Sequence, residues 1–93
     1  MFVEIVTPEA TVFKGEAEVV TVPGINGAFQ MLDNHAPIVS LLQEGKLKLK
    51  GNAVEIDNPV AAKLFSKEGD EFVMEIQGGT VEMSNNRIIV LVD

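Results

Sequence analysis

The chain of 93 residues has no cysteine, no tryptophan and no tyrosine, and its only histidine is His35. Without cysteine, disulfides and thiolate metal sites are excluded. With one histidine and neither Cys nor Tyr, few groups remain for acid–base or nucleophilic work. No serine stands in a Gly-x-Ser-x-Gly elbow, and no glycine pattern makes a dinucleotide or phosphate loop. Basic side chains are also scarce: 7 Lys plus Arg stand against 14 Asp plus Glu, for a formal charge of -7. That sign argues against nucleic acid, whose affinity rests on phosphate neutralisation, and against docking or inserting directly into anionic lipid. No apolar run approaches the roughly 20 residues of a membrane span. The opening MFVEIVTPEA lacks the basic start of a signal peptide. A metal site needs ligands clustered at set spacing. Glu16 and Glu18 alternate along one segment and face one side, but with no histidine near them they read as a solvated face. Neither a catalytic set, a metal nor a cofactor is expected.

What is present is punctuation. Turn signals recur at short intervals, among them Thr7-Pro8, Pro23-Gly24, Asn26-Gly27, Asp33-Asn34, Glu44-Gly45, Gly78-Gly79 and Asn85-Asn86. Short segments rich in Val and Ile lie between them, which reads as an all-β sandwich or barrel of eight to ten short strands, in one domain over residues 1–93. KLKLK places Leu47 and Leu49 on one face and three lysines on the other. FVMEI places Phe72, Met74 and Ile76 opposite Glu75, and Val81 and Met83 alternate in the same way. This is the period of half-buried strands. The last segment, from Ile88 to Val92, is apolar on both faces and reads as an interior strand or one covered by a partner. Asn26-Gly27 and Asn85-Asn86 suit tight hairpin turns. The stretch from Asn58 to Gly69 is read as a short helical turn near residues 59–64, started by Pro59, followed by a strand.

For His35, the surroundings favour a structural role. Asp33 and Asn34 tolerate turn geometry, Asn34 the left-handed region in particular, and Pro37 biases Ala36 toward extended backbone. The ring then stands where the chain re-enters a strand, within reach of the loop backbone, and no second residue completes a catalytic set.

The motifs, in order, resemble the epsilon subunit of bacterial F-type ATP synthases. They are Thr7-Pro8-Glu9, Phe13-Lys14-Gly15, Val22-Pro23-Gly24, Gly27-Ala28-Phe29, His35-Ala36-Pro37-Ile38, Gly78-Gly79-Thr80-Val81-Glu82-Met83 and Val90-Leu91-Val92-Asp93. They cover Glu4–Leu42 and Gly78–Asp93. The resemblance implies a flattened β-sandwich at the foot of the central stalk, on the cytoplasmic face of the bacterial inner membrane. Such a subunit is a non-catalytic rotor part that binds the gamma subunit and the polar loops of the c-ring, coupling ion translocation to ATP synthesis.

Carried over by position, the resemblance implies a gamma-side interface at Thr7, His35 and Ser40. It implies a c-ring loop formed by Asn26, Gly27, Ala28, Phe29, Gln30 and Met31. Ala28 stands where many members carry a glutamate, and Asp33-Asn34 replaces the usual Pro-Gly. The segment from Gly51 to Asp70 is longer than the family's hairpin there. Most members continue into a C-terminal pair of helices that can inhibit hydrolysis. This sequence stops at Asp93 and matches no part of it, so inhibition by helix extension is not expected. The competing reading is a free-standing β-sandwich ligand-binding module, which would want exposed aromatic rings for stacking.

Overall fold

The computed structural model describes residues 1–93 and contains ten strands and one helix. In chain order they are β1 (Phe2–Val6), β2 (Thr11–Glu16), β3 (Val19–Gly24), β4 (Gly27–Leu32), β5 (Ile38–Leu42), β6 (Gly45–Lys50), α1 (Pro59–Leu64), β7 (Phe65–Glu68), β8 (Glu71–Ile76), β9 (Gly79–Ser84) and β10 (Arg87–Val92). The strands pair in the order β2-β1-β10-β9-β5 and β4-β3-β6-β8-β7. The two sets join at one point only, where Gly24 of β3 meets Leu42 of β5. Around it, the Ile25 amide donates to the Leu41 carbonyl at 3.1 Å and the Gln43 amide to the Pro23 carbonyl at 2.8 Å. The result is two five-stranded layers folded face to face. One pairing, β1 with β10, is parallel.

Alternation decides which side chains meet between the layers. From the first layer Val3, Ile5, Val81, Met83, Ile88 and Val90 point inward; from the second, Val20, Val22, Met31, Leu47, Leu49 and Ile76 do so, all nearly or fully buried. No polar or charged residue belongs to the buried set. Such a core, without Trp or Tyr, asks for no buried ring hydroxyl or indole N–H to be satisfied.

The turns obey local chemistry. Asn85 and Asn86 both take positive φ (53° and 59°), which makes the two-residue turn between β9 and β10 match the strand twist. Asn34 is left-handed at φ 61°, as its place before His35 predicts. The β3–β4 turn lies one residue earlier than the Asn26-Gly27 signal suggests. Gly24 pairs with Gly27, so Ile25 and Asn26 form the turn and Gly27 opens β4 at φ 123°. Gly79 is fixed by space as well as by φ 150°, because a Cβ there would stand 2.0 Å from the Leu91 carbonyl oxygen. Glu18 stands in the connection between β2 and β3, so it does not continue a strand face from Glu16. Its carboxylate instead accepts the Asn52 amide at 2.9 Å.

The long segment after β6 closes the side of the sandwich. Asn58 caps α1 by accepting the Ala61 amide at 2.8 Å, and Pro59 occupies the first turn. The Asn58 amide donates to the Val12 carbonyl of β2, 3.2 Å away. Ala61 is buried, and Phe65 sets its ring edge-on to Phe13 of β2 at 6.5 Å and 62°. These contacts cover the gap between the outer strands of the two layers.

A candidate partner interface

The molecule has two outward faces, and they differ in chemistry. On the first layer, β1 and β10 run in parallel register, so Glu4 lies beside Ile89 and Val6 beside Leu91. The antiparallel ladders then bring Glu82 beside Ile89 and Thr80 beside Leu91, with Val39 and Leu41 next along on β5. One row therefore reads Glu4, Ile89, Glu82, Val39, and the next reads Val6, Leu91, Thr80, Leu41. Val39 is 74% exposed, Leu41 58% and Leu91 49%, with Ile89 at 37%. Four large aliphatic side chains thus stand in water on β10 and β5, with Glu82 and Thr80 of β9 between them and half-buried Val6 and Phe2 beside them. Several large apolar side chains exposed together on one face, interleaved with polar groups, mark an interaction surface.

On the second layer, the outward rows are mostly polar, although Leu32 stands 51% exposed at the β4 edge of the row that holds Val19 and Lys50. Lys46 lies beside Glu75; Lys48 lies between Thr21 and Val73; Lys50 lies beside Glu71. Lys50 pairs with Asp70 at 3.1 Å and Lys46 with Glu68 at 3.9 Å. The Lys50 hydrogen bond holds the Asp70 carboxyl below its ordinary value, and Asp70 holds the Lys50 amine above its own. Lys67 stacks over the Phe72 ring at 4.5 Å. Val73 also faces this side, buried at 3% exposure among Lys46, Lys63, Leu64 and Ser66. Lysine stems cover apolar surface in this way while their charges stay wet.

Of the residues predicted for the gamma side, Thr7 and His35 stand at opposite ends of the first layer. Thr7 follows β1 and forms a turn, its hydroxyl and amide both bonded to Ala10. His35 lies between β4 and β5, exposed, with Nδ1 2.7 Å from the Ala36 carbonyl and its amide donating to Leu32. Ser40 is on β5 between them, but the ladder places it beside inward-facing Val81. It is half-buried, and its hydroxyl donates to the Leu41 carbonyl at 3.1 Å. The three residues bracket the apolar face without touching one another. The double-sided apolar run of β10, which the sequence reads as an interior strand or one covered by a partner, supplies Ile89 and Leu91 to this face; the contribution of Val39 and Leu41 on β5 was not read from the sequence.

The segment Asn26–Met31 is a turn and an edge strand rather than a loop. Asn26, Gly27, Ala28 and Gln30 are exposed, Phe29 packs half-buried against the core, and the Met31 side chain is wholly enclosed. Its Asn26 tip lies at the same end of the sandwich as Thr7. At the opposite end, the amino group of Met1 bonds Asp33 and approaches Glu16 at 3.4 Å, and the Asn34 amide donates to the Asn86 side chain at 2.7 Å. The Asp33 contact raises the amino group's pKa above its ordinary 8.0, against the lowering effect of burial.

No group of three or more His, Asp or Glu side chains converges in the structure, and no helix is long and apolar enough to cross a membrane. The depressions on the surface are open and shallow; the largest runs between the Thr7–Ala10 turn and α1.

Comparison with known proteins agrees with the geometry. The family model described as "ATP synthase, Delta/Epsilon chain, beta-sandwich domain" matches residues 1–93. The ATP synthase epsilon chain of Chlorobaculum tepidum is 37% identical over 90 residues, covering 97% of this chain and 85% of that one. That of Chlorobium limicola is 36% identical with the same coverage. Against the epsilon chain of Dehalococcoides mccartyi strain CBDB1, at 34% identity, the chain spans 53% of the relative's length. A chain in the structure of the Tetrahymena thermophila mitochondrial ATP synthase central stalk and c-ring superposes with a TM-score of 0.73 at 18% identity. It covers 99% of this chain and 62% of that one, and shows the shared fold. With a sandwich of the expected strand content and a family match along its whole length, the chain belongs to the ATP synthase delta/epsilon family as its β-sandwich domain.

Proposed function

We propose that this chain is a non-catalytic rotor component that docks its first layer on the gamma subunit of an F-type ATP synthase. In this reading it also presents the β3–β4 turn to the polar loops of the c-ring, on the cytoplasmic face of a bacterial membrane. The observation that carries the reading is the exposed aliphatic face of Val39, Leu41, Ile89 and Leu91. A chain working alone gains nothing from four such side chains in water, whereas covering them with a partner gains about 25 cal/mol for each Å² of apolar surface removed. Thr7 and His35 flank that face at its two ends, and Ser40 contributes through the strand it occupies. The Asn26–Gln30 tip, at the Thr7 end, is the element that reaches the c-ring, through backbone and small side chains since Ala28 carries no charge. Coupling of ion flow to ATP synthesis then requires only that the domain stay attached to both while turning.

The test is co-elution and calorimetry of this chain with purified gamma subunit from the same organism. A one-to-one complex that is lost in Leu91→Asp supports the reading. A folded chain that does not bind gamma would reopen the ligand-module alternative.

A further inference from the structure

We infer that the partner surface covering the first layer carries a basic side chain, arginine before lysine, which lodges over Ile89 between Glu4 and Glu82. The inference rests on the gamma-docking reading above and deepens it. The register sets Glu4, Ile89 and Glu82 side by side on β1, β10 and β9. With strands spaced about 4.8 Å apart, the two carboxylates rise from backbones roughly 10 Å apart and straddle one aliphatic side chain. A shallow depression opens there, lined by Phe2, Glu4, Glu82, Ser84, Arg87 and Ile89. Neither carboxylate has an ion-pair partner in the chain, whose salt bridges involve the Met1 amine, Lys46 and Lys50. Lys14 lies across the β1–β2 ladder from Glu4 without closing an ion pair, and Arg87 holds its guanidinium over the Phe2 ring at 4.8 Å.

Charge distribution points the same way. Lys46, Lys48, Lys50, Lys63 and Lys67 all stand on the second-layer side. There they mix with Glu18, Glu68, Asp70, Glu71 and Glu75, so that side carries no net charge. The formal -7 therefore falls on the rest of the molecule, where Lys14 and Arg87 are the only cationic side chains. A partner that buried Glu4 and Glu82 beneath an apolar surface without a cation would strand two charges away from water, at a cost of several kcal/mol. A planar guanidinium between them donates to both carboxylates through its fork of N–H groups, which a compact ammonium does less well. Complementary charge also speeds encounter and suppresses wrong partners.

The experiment measures binding of the purified gamma subunit at low and high salt to three forms of the chain: unaltered, the double variant Glu4→Gln with Glu82→Gln, and Leu91→Asp. Melting curves first confirm that each is folded. The inference expects the double variant to bind at least tenfold more weakly at low salt, with a flattened salt dependence and a slower association rate, and Leu91→Asp to lose binding. If the double variant matches the unaltered chain in affinity and salt response while Leu91→Asp fails to bind, the basic contact is wrong and the docking face stands. If both variants bind as the unaltered chain does, the face is not the interface and both readings fall.

Discussion

The two outward faces of this sandwich are built from strands of similar length and twist, yet one is aliphatic and the other is a lattice of lysines and carboxylates. The second face satisfies itself. Its charges pair across strands, and the one buried apolar residue, Val73, is roofed by side chains from β6, β7 and α1. The first face closes no ion pair of its own, although Arg87 stacks on Phe2. Val39, Leu41, Ile89 and Leu91 stand open with two unpaired carboxylates among them. The lesson is that an exposed surface carries its history of contact. A face meant for water distributes charge of both signs, and a face meant for a partner leaves apolar and like-signed groups for that partner to complete.

The comparison can be broken most sharply at two neighbours on β10. Ile88 points into the core and Ile89 onto the first face. Ile88→Ala is expected to lower unfolding free energy by about 2–5 kcal/mol, and Ile89→Ala by no more than about 0.5 kcal/mol, both read by urea titration. Equal losses would mean that the first face is packed in the isolated chain. Next in size is the effect on the partner. Leu91→Asp should weaken gamma binding by roughly a hundredfold, in the range of a hot spot, while Lys48→Glu on the opposite face leaves calorimetric affinity unchanged. Comparable losses from both would erase the distinction between the faces.

Smaller effects sharpen the picture of the second face. Val73→Ala removes two buried methyl groups and should cost about 1.5 kcal/mol at roughly 0.8 kcal/mol for each, although the residue lies on the outward side. In the same row, the Thr21 hydroxyl is buried with no hydrogen-bond partner. Thr21→Val should raise stability by about 1 kcal/mol by removing an unsatisfied group; a fall would mean that the hydroxyl is bonded after all. The least effect is expected from Asp70→Asn, because an exposed pair contributes little and salt screens it. Its sign with pH is definite. Lys50 depresses the Asp70 carboxyl, so the contribution is present above the ordinary carboxyl value of 3.8 and fades as pH falls through the lower folded value. Raised Lys50 loses its share as pH climbs past 10.5 through its higher folded value. An acid melt of Asp70→Asn that overlays the unaltered chain at high salt, but not at low salt, is the expected pattern.

Much of the architecture was legible from local pattern. Leu47 and Leu49 point inward with their lysines outward, and Phe72, Met74 and Ile76 share a face, because period-2 spacing and burial leave no other arrangement. Asn58-Pro59 announced α1 through capping chemistry that acts within one turn. The β3–β4 turn was placed one residue late, since Asn26-Gly27 resembles a turn centre while the ladder closes at Gly24 and Gly27. The resemblance assigns Ser40 to the gamma side, while the ladder sets it half-buried beside inward-facing Val81. Its direction depends on the register of β5 against β9, which a one-residue slip would reverse. Met31 likewise belongs to the core because Val20 lies opposite it on β3.

By itself the sequence determined a run of eight to ten short strands, the turns, the inward set of aliphatic side chains and the poverty of catalytic groups, all of which follow from spacing over a few residues or from composition; the family followed from the resemblance of several motifs in order. Only the tertiary structure decided that Glu4, Ile89, Glu82 and Val39 form one row, that five lysines gather on the other side, and that Thr7 and His35 lie at opposite ends. Apart from Glu82 and Ile89, which share a hairpin, the residues of that row are separated by dozens of positions. Their meeting is set by the parallel pairing of β1 with β10 and the antiparallel ladders beside it, where the register of each strand fixes which side chains share a face.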